Sequence, residues 1–405
     1  MRILFADSCH LSCVDRLRTG GHVVTLTPDL DEASLVDAIT GHDAVVVRST
    51  RVTAAALEAG ERLGLVVRAG AGVNTIDLDM ASARGIAVCN TPGRNAIAVA
   101  ELTMGLLLAV DRHIAEATAD ARAGHWDKGR YSKARGLAGR RLGIVGLGGI
   151  GTEVATRAAA FGLELHTLDR AGRSAATRRL IDDLDVTVHS VASELARAVD
   201  ILSLHVPGGN ETRHLVDSAV LAALAADTDA PVLLNTSRGD VVDPDALLGA
   251  LELGMHAGLD VWPDEPPEKQ GEWASALARH PNVVATHHIG ASTDQAQVSV
   301  ADAVAEVIEA FDEGRLVNCV NVETRRLGSC TVVVRHLDRV GVLAGVFDVL
   351  RRADINVEQM ENRVFTGGRA AMALIEVVGE VGEDLVAELS AGEHILSVAV
   401  RGADC

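Results

Sequence analysis

Leu142-Gly143-Ile144-Val145-Gly146-Leu147-Gly148-Gly149-Ile150-Gly151 is the stretch on which the fold turns. Its first four residues predict a buried strand, and the spacing G-x-G-x-x-G predicts a tight turn leading into a helix over 152–161, which Gly162 stops. Gly146 permits the turn, Gly148 lets backbone approach a pyrophosphate, and Gly151 lets the helix lie close against its strand. The helix start then presents free N–H groups and a positive dipole end to phosphates. Residues 163–168 predict the next strand, and the acidic residue that ends it, Asp169, suits the ribose hydroxyls of NAD and repels a 2′-phosphate. Arg170 and Arg173 stand close enough to soften that preference.

Downstream the alternation continues through VTVHS, ILSLHV, PVLLNTS, AGLDV and NVVATHH, enough for a complete Rossmann-like domain. Upstream, short apolar runs at 3–5, 23–26, 44–47, 65–67 and 86–88 separated by helical stretches predict a second doubly wound parallel sheet. A long apolar helix over 96–110 joins the two. Another helix follows Gly290-Ala291-Ser292 as far as 313 and is expected to return to the first sheet. The fold class is therefore α/β, with two doubly wound parallel-sheet domains: 1–98 with 285–318 for substrate, and 99–284 for NAD. After Glu323-Thr324-Arg325-Arg326, residues 327–405 show the βαββαβ order of a ferredoxin-like module.

Composition narrows the function. Of 405 residues, 48% are hydrophobic, but only three Trp, one Tyr and five Phe are aromatic, so Val, Leu, Ile and Ala must fill the core. A formal charge of −19 excludes nucleic acid as a partner, and an anionic substrate would need a local arginine cluster against the global field. The most apolar run, Leu102 to Val110, is too short to span a bilayer, so no membrane partner is expected. Six scattered cysteines form no zinc pattern and predict reduced thiols in a cytoplasmic protein, with no metal.

Three segments each follow or end a strand of the second sheet, where open α/β folds bind ligands: Asn235-Thr236-Ser237-Arg238-Gly239, Leu259-Asp260-Val261-Trp262-Pro263-Asp264-Glu265-Pro266 and Thr286-His287-His288-Ile289-Gly290-Ala291-Ser292. They deliver an arginine, a carboxylate and a histidine to one edge. Oxidising a 2-hydroxy acid needs a base for the hydroxyl proton, a cation for the carboxylate and a hydride acceptor nearby.

On these motifs the chain resembles the D-2-hydroxyacid dehydrogenase family over nearly its whole length, and within it the phosphoglycerate-oxidising members. The resemblance implies that Arg238 binds the substrate carboxylate and C2 oxygen, that His288 is the acid/base, and that Glu265 fixes its tautomer. It sets Gly146, Gly148, Gly149, Ile150, Gly151, Asp169, Pro207, Thr236, Ser237, Arg238, Asp260, His288, Ile289, Gly290 and Ala291 around NAD, with Asp260 on the nicotinamide carboxamide. The family usually has Pro where this chain has His287; Ile289-Gly290 marks His288 as the base, and a His287–His288 metal pair lacks further ligands at suitable spacing. Arg48, Ser49, Arg68 and Asn95, with Arg51 behind them, are the substrate candidates, since a planar guanidinium holds carboxylate or phosphate through two bonds. After the Gly-x-Gly of that domain the family's usual Asp is Asn74 here.

The implied reaction is NAD-dependent oxidation of 3-phospho-D-glycerate to 3-phosphooxypyruvate, the entry to serine synthesis. The rivals are a glyoxylate/hydroxypyruvate reductase and a non-catalytic NAD-sensing scaffold or corepressor. The tail, through Arg335-His336-Leu337-Asp338-Arg339-Val340-Gly341 and Ile355-Asn356-Val357, resembles an ACT domain, with Val340 replacing its usual Pro. That likeness implies an effector, L-serine or another amino acid, held by His336, Asp338 and Asn356, and a homodimer or homotetramer.

Overall fold

The computed structural model describes residues 1–28, 30–266, 270–323 and 328–402. The expected linker residues Thr324, Arg325 and Arg326, and the first residue of the expected tail domain at 327, lie outside the described residues. The chain forms two compact units, Met1–Asn321 and Val322–Cys405.

The larger unit holds two parallel sheets. Strands β1 (Arg2–Phe5), β2 (Val23–Leu26), β3 (Ala44–Val47), β4 (Leu65–Arg68) and β5 (Ala87–Asn90) build the first, in the order β2-β1-β3-β4-β5. Strands β6 (Arg141–Val145), β7 (Glu164–Leu168), β8 (Thr187–His189), β9 (Ile201–Leu204), β10 (Val232–Asn235), β11 (His256–Leu259) and β12 (Val283–Ala285) build the second, in the order β12-β11-β10-β9-β6-β7-β8. Strands covered on both faces have no reason to alternate, and Ala44–Val47 and Ile201–Leu204 are buried at every position. Each sheet reverses its strand order once, between β1 and β3 and between β6 and β9, and ligands enter at the carboxyl ends beside such points.

Helix Ala96–Arg112 packs on the second sheet, where Ala100, Met104 and Leu107 share a core with Leu142, Ile144 and Val154. It runs to Arg112 rather than 110, and a helix that the sequence pattern did not indicate, Ile114–Arg122, follows across His113, whose φ is 52°. Helix Asp294–Asp312, capped by the Thr293 hydroxyl, returns to the first sheet: Ala301, Val304, Ala305, Val307 and Ile308 are buried with Ile3, Phe5, Val46 and Val67.

In the smaller unit, β13 (Cys330–Leu337), β14 (Asn356–Val364), β15 (Ala370–Val378) and β16 (Ile395–Arg401) form an antiparallel sheet ordered β14-β15-β13-β16. Helices Val342–Arg352 and Glu383–Ser390 connect them in βαββαβ order. Here alternation returns: Cys330, Val332, Val334 and His336 are buried, with less buried residues between them. Cys9, Cys13, Cys89 and Cys319 are free thiols, whereas Cys330 is disulfide-bonded, which corrects the expectation of reduced thiols there.

Candidate active site

The turn after β6 is shaped by backbone contacts. Gly146 has φ +101°, and a Cβ on it would stand 2.5 Å from the His205 carbonyl oxygen. A Cβ on Gly151 would meet the Gly146 oxygen at 1.9 Å, so helix Gly149–Ala160 sits as near its strand as bare backbone allows. Gly148, at the helix start, instead faces open space, and no side chain caps that helix. Uncapped N–H groups beside an open approach fit a dinucleotide pyrophosphate. Asp169 stands at the end of β7, 65% exposed, and the Arg173 guanidinium comes within 3.9 Å of it while bonding the Leu168 carbonyl. Gly149 and Ile150 in the first turn of that helix, and Pro207 and Ala291 on loops, lie partly or fully exposed around these strand ends.

The three motif segments of the second sheet meet as one bracketed loop system. Asp260 is 1% exposed. Its Oδ1 accepts from the Thr286 hydroxyl at 2.6 Å and the Ile289 N–H at 2.8 Å, and its Oδ2 accepts from the Gly290 N–H at 2.9 Å. Most of its acceptor capacity therefore holds the histidine loop. Thr236 and Ser237 are buried, Thr236 bonding Thr103 at 2.9 Å and Ser237 bonding the Asn235 side chain at 2.7 Å. The following residue, Arg238, is half-buried, and its Nη1 donates to the Ser237 carbonyl at 2.7 Å.

His288, at φ 53°, turns its Nδ1 onto Glu265 Oε2 at 2.9 Å, and the other Glu265 oxygen accepts the Trp262 N–H at 2.9 Å. Burial alone would raise the Glu265 carboxyl. The hydrogen bonds from His288 and Trp262 and the charges of His288 and Arg238 outweigh it and hold the group below the usual carboxylate range. His287 points elsewhere, exposed, with its ring 6.3 Å from Trp273. Among the described residues no group of three or more His, Cys, Asp or Glu is placed to hold a metal ion.

Arginines from both sheets reach this edge. Arg238 Nη2 lies so near Gly72 that a Cβ there would stand 2.8 Å away. The Arg68 group is pushed down to about 10, first by burial and then by the charges of Arg238 and Arg48, against which Asp7 works. Its Nε is buried without a hydrogen-bond partner. No carboxylate among the described residues lies within ion-pair distance of Arg48, Arg68 or Arg238. Arg51, in contrast, reaches Glu32 at 3.8 Å on the open surface. Asn95 is half-buried just before helix Ala96–Arg112 and its side chain makes no cap.

Two positioning residues escaped the sequence reading. Asp7, 8% exposed at the end of β1, accepts the backbone N–H groups of Arg48, Ser49 and Thr50 at 2.6, 3.0 and 3.0 Å and the Ser49 hydroxyl at 2.8 Å. Gln297 bonds Arg48 Nη1 at 2.7 Å. The only advance signal for Asp7 was an acid at the strand end of a switch point.

In the smaller unit His336 is 2% exposed and satisfied internally, through the Leu337 carbonyl at 2.8 Å and Asn362 at 3.3 Å. Asp338 is exposed just beyond it. Asn356 does not join them. His336 pairs with Ala371 of β15 but Asn356 pairs with Val378, seven residues further along the same strand (378 − 371), or about 23 Å at a strand's rise.

Residues 104–290 match the model of the D-isomer specific 2-hydroxyacid dehydrogenase family, NAD binding domain. The chain is 36% identical over 335 residues to the D-3-phosphoglycerate dehydrogenase of Methanocaldococcus jannaschii, covering 81% of this chain and 61% of that one. It is 42% identical over 282 residues to the hydroxypyruvate reductase of Thermotoga maritima, covering 69% of this chain and 88% of that one. The crystal structure of a D-lactate dehydrogenase from Aquifex aeolicus, complexed with NAD and lactic acid, superposes with a TM-score of 0.69 at 25% identity, over 80% of this chain and 100% of that one.

Proposed function

The chain belongs to the D-isomer specific 2-hydroxyacid dehydrogenase family, and from that premise we propose that it oxidises 3-phospho-D-glycerate to 3-phosphooxypyruvate with NAD, at the entry to serine synthesis. The observation that carries this reading is the convergence of Arg48, Arg68 and Arg238, none paired with a described carboxylate, beside the His288–Glu265 pair. Two positive groups from the first sheet and one from the second suit a substrate with an anion at each end. Ser49 and Asn95 border the same loops.

NAD, held by the Gly146–Gly151 turn with Asp169 at its ribose, supplies the hydride acceptor when bound. Arg238 orients the carboxylate and C2 oxygen. Because Glu265 holds Nδ1, His288 presents Nε2 to the substrate hydroxyl and takes its proton there. Asp260 keeps the imidazole loop in place through Ile289 and Gly290.

For the smaller unit, the reading is an ACT-type sensor of L-serine or another amino acid. A pocket using His336, Asp338 and Asn356 together requires a second copy, since one chain separates them, and this favours a homodimer or homotetramer.

A spectrophotometric panel of 3-phosphoglycerate, D-glycerate and D-lactate, with NAD or NADP and with or without L-serine, tests the assignment. The expected result is NADH formation fastest with the phosphorylated acid, and a loss of about 100-fold or more in His288→Ala with NADH binding intact. A preference for unphosphorylated D-glycerate would instead support a hydroxypyruvate reductase, the reading that the 42% identity to the Thermotoga enzyme favours. No turnover with any 2-hydroxy acid would favour the scaffold.

A further inference from the structure

Gln297 lies on the first turn of helix Asp294–Asp312, the helix that returns from the second sheet to the first. Its two amide atoms point at different parts of the site. Oε1 accepts from Arg48 Nη1 at 2.7 Å, and Nε2 donates to the Ala291 carbonyl at 3.1 Å. Arg48 belongs to the loop that Asp7 holds after β3, and Ala291 closes the loop that carries His288. One half-buried side chain thus spans the group proposed to hold the substrate anion and the segment proposed to move its proton.

The bond types fit this arrangement. The carbonyl end of an amide meets a cation that has no described carboxylate partner, and the amino end meets a backbone acceptor. An acid at 297 would pair with Arg48, but it would cancel the charge that an anionic substrate needs and lose the donor for Ala291. An alkyl residue would release both ends. Glutamine bonds Arg48 without setting a negative charge beside it, and keeps a donor for Ala291.

We infer that Gln297 is a positioning residue that sets Arg48 and the His288 loop against each other, so that seating the substrate anion also seats the imidazole. The inference rests on the proposed 2-hydroxyacid dehydrogenase reading. It predicts that anion binding at Arg48 is felt at residues 288–291 through Gln297.

The test compares the full-length protein with Gln297→Ala, Gln297→Glu, Arg48→Ala and the Arg48→Ala/Gln297→Ala double variant. A hydrogen bond to a charged group is strong enough for about a tenfold effect. Gln297→Ala should therefore lose about tenfold or more in kcat/KM, divided between a higher KM and a lower kcat, with NADH affinity within about twofold of wild type. Gln297→Glu should show mainly a raised KM. The double variant should lose clearly less than the product of the single losses, since both act through one contact. Wild-type kinetics in Gln297→Ala, or multiplicative losses in the double variant, would overturn the inference.

A second readout needs no turnover. Inorganic phosphate added to wild type should slow hydrogen exchange at the Ile289 and Gly290 amides, and should do so far less in Gln297→Ala. Equal effects in the two proteins, or none in either, would likewise overturn it. Should the wild type oxidise no 2-hydroxy acid, the functional reading would fall while this exchange experiment still decides the coupling.

Discussion

Replacing Arg68 with methionine should make the ligand-free protein more stable and less active. The Arg68 guanidinium falls from the ordinary arginine range, about two to three pKa units higher, to about 10, because burial and then Arg238 and Arg48 disfavour its charged form more than Asp7 favours it. At about 1.36 kcal/mol per pKa unit, the folded protein carries a cost of about 3 kcal/mol for keeping that charge. The group is protonated in both folded and unfolded chains at neutral pH, so the whole cost is present there. It fades only as the pH climbs above about 10 towards the ordinary arginine range, where the folded group releases its proton first. Methionine keeps most of the stem's volume, removes the charge, and gives up only a long 3.4 Å bond to the Ala69 carbonyl. We expect the urea midpoint to rise by an amount equivalent to about 1–3 kcal/mol, and kcat/KM for an anionic substrate to fall by about 100-fold or more. Millimolar phosphate should stabilise the wild type, where it relieves the repulsion, and leave Arg68→Met nearly unchanged. A lowered midpoint in phosphate-free buffer would refute the idea that the arginines are held together against their mutual repulsion.

Two further substitutions probe other parts of the site. Glu265→Gln should lower kcat by about tenfold or more while NADH binding is kept. Because the Glu265 carboxyl lies below its ordinary 4.5 in the folded protein, its stabilising contribution is present above that value and is lost as the pH falls through the lower folded one. Wild type should therefore lose more stability than Glu265→Gln as the pH falls below the ordinary carboxylate range, as read from urea midpoints; parallel losses would count against the His288 bond. Gly151→Ala places a Cβ 1.9 Å from the Gly146 oxygen, which should cost about 1–3 kcal/mol and weaken NADH binding at least tenfold by fluorescence titration, and near-native affinity would show that the turn tolerates a shift.

Both parallel sheets were legible because their strands are continuous apolar runs, and the dinucleotide turn because backbone proximity demands glycine at fixed positions. Arg238, Glu265 and His288 were legible because each stands in a motif at the end of a strand. Asp7 and Gln297 were not, since an acid after a strand and an amide on a helix are common, and their roles arise only when loops distant in sequence meet. Helix Ile114–Arg122 buries no residue, so it left no apolar period to read. The residues proposed for an effector pocket differ again. His336 and Asp338 are neighbours in sequence, but Asn356 enters the sheet at its other end, and strand register is not written in a short motif.

The return of helix Asp294–Asp312 to the first sheet has a bearing on biosynthesis. Ile3, Phe5 and Val46 share their core with Val304 and Ile308, so strands translated before the second sheet wait for a helix translated after it before that face is covered. The second sheet, whose residues are contiguous, can complete its layers in the interval. Emerging polypeptide would then pass through a stage with one finished half and one half-dressed one, and it is the exposed side of the unfinished half that a holdase would grip.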